Sequence, residues 1–533
     1  MRLQNKQWVA RWKLALLGAA CMGATRAQAA LPLMGPGIPK ITFQNSELFK
    51  PLSYMHTRYG QNIVAMNNGY LMAIFGPDAP GMDGGLTFWD ITNPRAIKVV
   101  KTKDDADTRI IREAHGMGFS SSYDGDYAVI QTGLGIQFWD LTDVNNPTVL
   151  KSMTLPDVKP GDYSEAVWHL YWQAPYVYVS GSTLGLYIVD AKDPRNPVLL
   201  NRIYTSKLGG FSIGQVYPIG NLLVMTSMGL GTEKGFTMMD ISDPKNPVML
   251  TTTLQTPTNY STHVNGNRLY TDGVDGAVHI YDISDPTRFK SVGQIDLAGN
   301  GEYLMTQDNF LHVGRESFYC KIDLATNKII GRTSIAGQEG FATPLGNMVL
   351  IGDDHGEGSA LVAHQMGPDV KGPKVTMINP PSGAIRQALT SRVGITMSDM
   401  IQTRSIDITS FIVRPLGGQP LQGKYGNAIG IVNFFPDEPL AANTTYEVVI
   451  TQGGIRDFSG NPTEEEFTSR FSTGETVDQT TGIPERRSNS SAHSNSQDHL
   501  WMNMGFASPH WIMNRNSEDP ILCIGADGRL YPH

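Results

Sequence analysis

The sequence predicts an all-β fold, a seven-bladed β-propeller followed by a C-terminal β-sandwich. Three observations carry that expectation. First, the segment FWDITNPRAIKVV at 88–100 returns as FWDLTDVNNPTVL (138–150), YIVDAKDPRNPVLL (187–200), TMMDISDPKNPVML (237–250), IYDISDPTRFKSV (280–292) and YCKIDLATNKII (319–330). Its acid falls at Asp90, Asp140, Asp190, Asp240, Asp282 and Asp323, at steps of 50, 50, 50, 42 and 41, and a further step of 41 reaches His364 in a seventh copy without the acid. Self-similarity at this period marks propellers and solenoids. Second, each copy is preceded by two short apolar runs joined by turn residues, which makes four strands per repeat. Third, from Gly372 the chain continues in alternating strands that lack the repeat, about 100 residues with roughly seven strands, which suits a β-sandwich.

Taken in order, the chain begins with a secretion signal. Arg2, Lys6, Arg11 and Lys13 form a basic start, Leu14 to Ala20 a short apolar core, and Ala27-Gln28-Ala29 an A-x-A cleavage site, so residues 1–29 are expected to be removed. The apolar core is too short to span a membrane. Cys21 raises a lipoprotein alternative, against which Gly18 stands where a lipobox takes Leu. Removing 1–29 takes five basic residues and no acid, moving the net charge from −8 to −13. Such a field excludes nucleic acid or anionic lipid as a partner held by net charge. Cys320 and Cys523 alone would then remain, too few for a disulfide framework.

Residues 30–40 read as a Pro/Gly linker and 41–49 (ITFQNSELF) as a strand. The propeller is expected over 41–371. Within each repeat a first strand meets a tight turn, such as Asn67-Asn68-Gly69, Gly220-Asn221 or Gly346-Asn347, whose residues take positive φ at low cost. The second strand leads through a glycine-rich loop to the third, which ends at the repeated Asp, and the run after Pro is the outer fourth strand. Gly85, Gly135, Gly185 and Gly235 stand five residues before the acid, where the third strand is entered tightly. The acids themselves read as turn formers that accept backbone N–H groups one or two residues on. The seventh repeat lacks an outer strand before residue 373, and 41–49 is expected to supply it and close the ring. The sandwich is expected over 372–474, a polar disordered linker over 475–500 and a short tail over 501–533. Their different strand patterns lead us to expect that propeller and sandwich fold independently.

The repeats resemble the LVIVD-repeat family of bacterial exported propellers, most literally at YIVDAKDPRNPVLL and TMMDISDPKNPVML. That resemblance implies a surface or periplasmic location and transfers no catalytic residue. NTTYEVVIT, DFSGNP and FTSRFSTG in 373–474 resemble the bacterial Ig-like modules of S-layer and adhesin proteins, which implies a spacer or display role.

No nucleophile elbow, P-loop, dinucleotide fingerprint, CxxC or HExxH occurs in the sequence. His115, His169 and His263 lie on first strands, but 9, 4 and 2 residues before their turns. At about 3.3 Å per residue that separates the extremes by roughly 20 Å, too far for one ion. The face that gathers the loops between second and third strands brings together Arg112, Glu113 and His115, candidate ligand-binding residues, with Asp272, Asp275 and Arg315. On the same face Asp353, Asp354, His355 and Glu357 fall within five residues. They read either as a solvated acidic turn or as a site for a divalent cation, the one cofactor the sequence suggests. The leading expectation is a non-catalytic exported protein, secreted, periplasmic or at the cell surface, that binds an extracellular protein or glycan. The alternative is a periplasmic or secreted propeller enzyme, hydrolase-like or metal-dependent, working on that same face.

Overall fold

The computed structural model describes residues 33–478, apart from 34, 57–60, 76–83, 112–116, 123–124, 160–162, 211, 228–234, 251–258, 274, 336–339 and 353–357, and also 522–524 and 530–532. Among these residues the regular structure is β-strand with a few short 3-10 turns. The signal segment, and with it the lipoprotein question, lies outside them.

Alternation and turn chemistry build each blade in the same way. In the first, β2 (Gln61–Asn67), β3 (Tyr70–Phe75), β4 (Gly85–Asp90) and β5 (Lys98–Lys103) pair antiparallel in chain order. Asn68 and Gly69 take φ of 51° and 83° between β2 and β3, the left-handed pair that a two-residue hairpin requires. Strand β3 is buried almost throughout, while β5 is largely exposed. The second blade repeats the order with β6 (Met117–Ser122), β7 (Gly125–Thr132), β8 (Gly135–Asp140) and β9 (Thr148–Thr154). Four-stranded sheets follow over 169–203, 213–249, 259–296 and 301–333. The repetition extends to backbone irregularity. A bulge shifts the third-to-fourth strand pairing at Phe88/Trp89, Phe138/Trp139, Ile188/Val189, Ile280/Tyr281 and Lys321/Ile322.

The seventh sheet is completed by the N-terminal segment, as expected, but by different residues. Its outer strand is β1 (Pro51–His56), paired with Gly358–Ala363. Residues 41–49 supply only a single parallel bridge, Leu48 to Ala363, and a 3-10 turn at Asn45–Glu47. Asn45, Ser46 and Glu47 favour a local turn, with Glu47 accepting the Gln44 N–H at 2.8 Å. Pro51 is tolerated because it opens an edge strand, where a missing N–H costs nothing.

Seven C-terminal strands form a sandwich among the described residues. One sheet holds Phe411–Pro415, Thr445–Ile450 and Phe467–Ser472. The other holds Val375–Asn379, Val393–Met397, Ile431–Pro436 and Gly423–Ala428, and it does not end there. Gly423–Ala428 pairs with β6, through Tyr425 to Ser121, Gly426 to Ser120 and Asn427 to Phe119, so sandwich and second blade share one eight-stranded sheet. That continuity runs against the independent folding expected from the strand patterns. In the tail, Leu522–Ile524 pairs with Leu530–Pro532.

Candidate functional site

The repeated acids serve as turn formers. Asp90, Asp140, Asp190, Asp240, Asp282 and Asp323 each accept the N–H two residues on, at 2.7 to 3.0 Å. A second Asx turn follows three residues later, at Asn93, Asp143, Asp193, Asp243 and Asp285. The D-x-x-[DN] spacing in the sequence carries this second turn, which a reading of the repeated acid alone leaves out.

The proposed ligand residues Arg112, Glu113 and His115, and the acidic loop Asp353, Asp354, His355 and Glu357, lie outside the described residues. Of their expected neighbours, Arg315 and Asp272 form a fully buried ion pair at 2.6 Å between the fifth and sixth blades. Asp275 accepts from or faces the His279 ring at 2.9 Å. His169 is buried and its Nδ1 accepts the Val216 N–H at 3.3 Å. His263 is buried, and burial pushes its imidazole down to about 3, so it stays neutral. Both belong to blade packing.

His364, standing where the other repeats have their acid, joins a buried network between the sixth and seventh blades. Lys321 Nζ donates to His364 Nδ1 at 2.9 Å, while His364 Nε2 faces the Gly346 carbonyl at 3.1 Å. The His312 ring packs edge-on at 4.7 Å, and its Nδ1 pairs with the Tyr319 hydroxyl at 2.8 Å. Burial lowers Lys321 to about 8 and holds both imidazoles well below their usual value.

The sandwich covers the end of the propeller that carries the hairpin turns. In the first two blades, Arg404 pairs with Asp126 at 2.6 Å with both side chains buried, and the turn at Asn67–Gly69 lies beside Gln402 and Phe458. In the third, Tyr171 Oη donates toward the carbonyls of Ala428 and Ile431. Asn433 Oδ1 receives Gln173 Nε2 at 3.0 Å and the Gly220 N–H at 2.8 Å, tying the third blade to the fourth. Arg392, fully buried, donates to the Ile241 carbonyl. The Gly266 N–H of the fifth blade meets Thr396 Oγ1, and the Asp308 N–H of the sixth meets the Ser398 carbonyl at 2.6 Å. Gly346 of the seventh packs against Ser459. Glycines make the approach possible: a Cβ on Gly394 would stand 2.0 Å from the Gly220 nitrogen.

At this junction Asp369, Asp399 and Asp457 converge, one carboxylate oxygen from each lying within 4.8 Å of the others. All three are buried. Burial first, then the charges of Asp457 and Asp369, holds Asp399 well above the usual carboxylate range. Burial, then Asp369, pushes Asp457 up to about 7. An all-oxygen set without a nucleophile or imidazole suits holding a cation rather than acyl or phosphoryl chemistry. The three acids lie in unrelated loops, and nothing in their local sequence announces that they meet.

Residues 369–473 match the bacterial Ig-like domain family, and residues 174–205, in the third blade, match the LVIVD repeat. The chain joins an LVIVD repeat to a bacterial Ig-like domain. The LVIVD match includes YIVDAKDPRNPVLL at 187–200, and the Ig-like match spans the segments from which that resemblance was drawn. No curated protein is significantly similar. Among solved structures, the computationally designed Ika8 protein aligns with 11% identity over 62% of this chain and 100% of its own, at a TM-score of 0.41. The two matched families fit an extracellular or surface protein, and among the described residues no helix is long and apolar enough to cross a membrane.

Proposed function

We propose that the chain is exported and acts as a non-catalytic binding protein, with the recognition surface on the propeller face opposite the Ig-like domain. The observation that supports this reading is the occupation of the turn end. Gly220, Gly266, Asp308 and Gly346, each at a hairpin turn of a different blade, are already engaged by the Ig-like domain. A partner of the propeller therefore meets the other end, the one on which the sequence reading expects Arg112, Glu113 and His115. The partner class is an extracellular protein or glycan. Export follows from the basic start, apolar core and A-x-A site of residues 1–29.

The test uses the full chain purified after export. Its N-terminus is expected at Ala30, and immobilised protein is screened against a glycan array and against purified envelope proteins. A saturable ligand should be found whose binding falls at least tenfold in Arg112→Glu/His115→Ala, with the melting temperature unchanged. Turnover of a chromogenic ester, phosphate or glycoside that the same double variant abolishes would overturn the binding reading in favour of an enzyme.

A further inference from the structure

Three carboxylates meet where the last two blades and the Ig-like domain join. Asp369 lies in the connector leaving the seventh blade, Asp399 follows the strand Val393–Met397, and Asp457 opens the turn that ends at Asn461. Their hydrogen bonds come from neutral donors. Asp399 accepts the Met400 N–H at 2.6 Å and Gln307 Nε2, from the sixth blade, at 3.2 Å. Asp457 accepts the Asn461 N–H at 2.8 Å and its Nδ2 at 2.9 Å. Asp369 Oδ1 accepts the Lys371 N–H at 3.1 Å. Among the described residues none of the three is ion-paired with Lys or Arg. Lys371 pairs instead with Asp308 at 3.4 Å, and Lys40 Nζ bonds Asn461 Oδ1.

Asp369 Oδ2 adds a second observation. The residue is 9% exposed, this oxygen has no hydrogen-bond partner, and the carboxyl lies against that of Asp457. Ser459 Oγ, likewise buried without a partner, packs on Gly346 alongside Asp369. Three buried carboxyl groups this close cannot all stay ionised without a counter-charge, which a bound cation or a shared proton supplies.

We infer that Asp369, Asp399 and Asp457 bind one calcium-class divalent cation that fastens the Ig-like domain to the propeller. The ligand chemistry is hard oxygen throughout, which selects against zinc and copper. Two oxygens bound to one calcium ion at roughly 2.4 Å each stand no more than about 4.8 Å apart, and the three carboxylates meet that limit pair by pair. Magnesium sheds its waters reluctantly and is served less well than calcium by three buried carboxylates. The inference is independent of what the propeller face binds.

Full-length exported protein is stripped with EDTA, desalted, and melted at pH 7.5 and constant ionic strength with EDTA, magnesium or calcium. Bound metal is counted after calcium loading and desalting. About one calcium per chain is expected, with a calcium-dependent rise in melting temperature that magnesium reproduces only weakly. Asp369→Asn should lose that rise. Because it also removes one of the clustered charges, it should melt above the wild type in EDTA and below it in calcium. Asp399→Asn provides a second variant for the same loss. Equal wild-type melts in all three conditions together with no retained calcium would overturn the inference. So would a calcium response that survives Asp369→Asn and disappears in Asp353→Ala/Glu357→Ala, which would assign the ion to that acidic loop instead.

Discussion

Gly185 shows how the repeat constrains single positions. Its φ is +96°, and a Cβ there would stand 2.1 Å from the Ile203 carbonyl oxygen of the neighbouring fourth strand. Gly209 also has positive φ, +68°, but has nothing within 4 Å. Gly209→Ala should therefore cost only the backbone term, about 1 kcal/mol. Gly185→Ala adds a collision with main chain and should cost about 3 kcal/mol or more. Denaturant melts of the two variants check this, and equal costs would mean that the close approach is relieved cheaply. Such glycines, like the Asx acids, were legible because their roles are played out within a few residues or recur with the repeat. The carboxylates of Asp369, Asp399 and Asp457 were not. Each sits in an ordinary-looking loop, MGPDV, MSDM or RDFSG, and their meeting depends on how two domains pack.

Among the elements, β1 carries the ring closure. The sequence expectation had the right principle, since the seventh repeat lacks an outer strand of its own, but it placed the strand ten residues early. ITFQNSELF alternates well enough to read as a strand, yet its Asn-Ser-Glu centre turns, and the ladder forms at Pro51–His56 instead. Met55 is fully buried there, and Phe43 is buried in the same cluster as Leu350 and Leu361 of the seventh blade. Removing 51–56 should therefore uncover the unpaired edge of Gly358–Ala363 as well as apolar surface. A large loss of thermal stability, or aggregation seen by size-exclusion chromatography, is the expected outcome. A monomer with an unchanged melt would mean that the seventh sheet holds without its N-terminal strand.

At the scale of the whole molecule, the Ig-like domain behaves as part of the propeller's construction. Composition and strand pattern divide the chain near residue 372, and the sandwich itself was legible from alternation. The contact between the two was not, because it is made by residues that look local: Gly394 and Gly426 inside strands, Asn433 in a buried run, and Arg392 and Arg404 in loops. A glycine within a strand is the usual sign of close backbone approach, and the structure finds Gly426 against the Trp172 carbonyl and Gly394 against Gly220. Truncation after residue 371 would leave one edge of β6 unpaired and Asp126 without Arg404. The cut also breaks the bonds that Tyr171, Gln173 and Asn221 make to the Ig-like domain and uncovers the apolar surface that packs on Ala428 and Ile431. We therefore expect residues 30–371 to be insoluble or to melt far below the full chain, and co-expression of residues 372–478 to restore soluble, co-purifying protein. A monodisperse 30–371 fragment with a cooperative melt close to that of the full chain would show instead that the shared sheet adds little to either half.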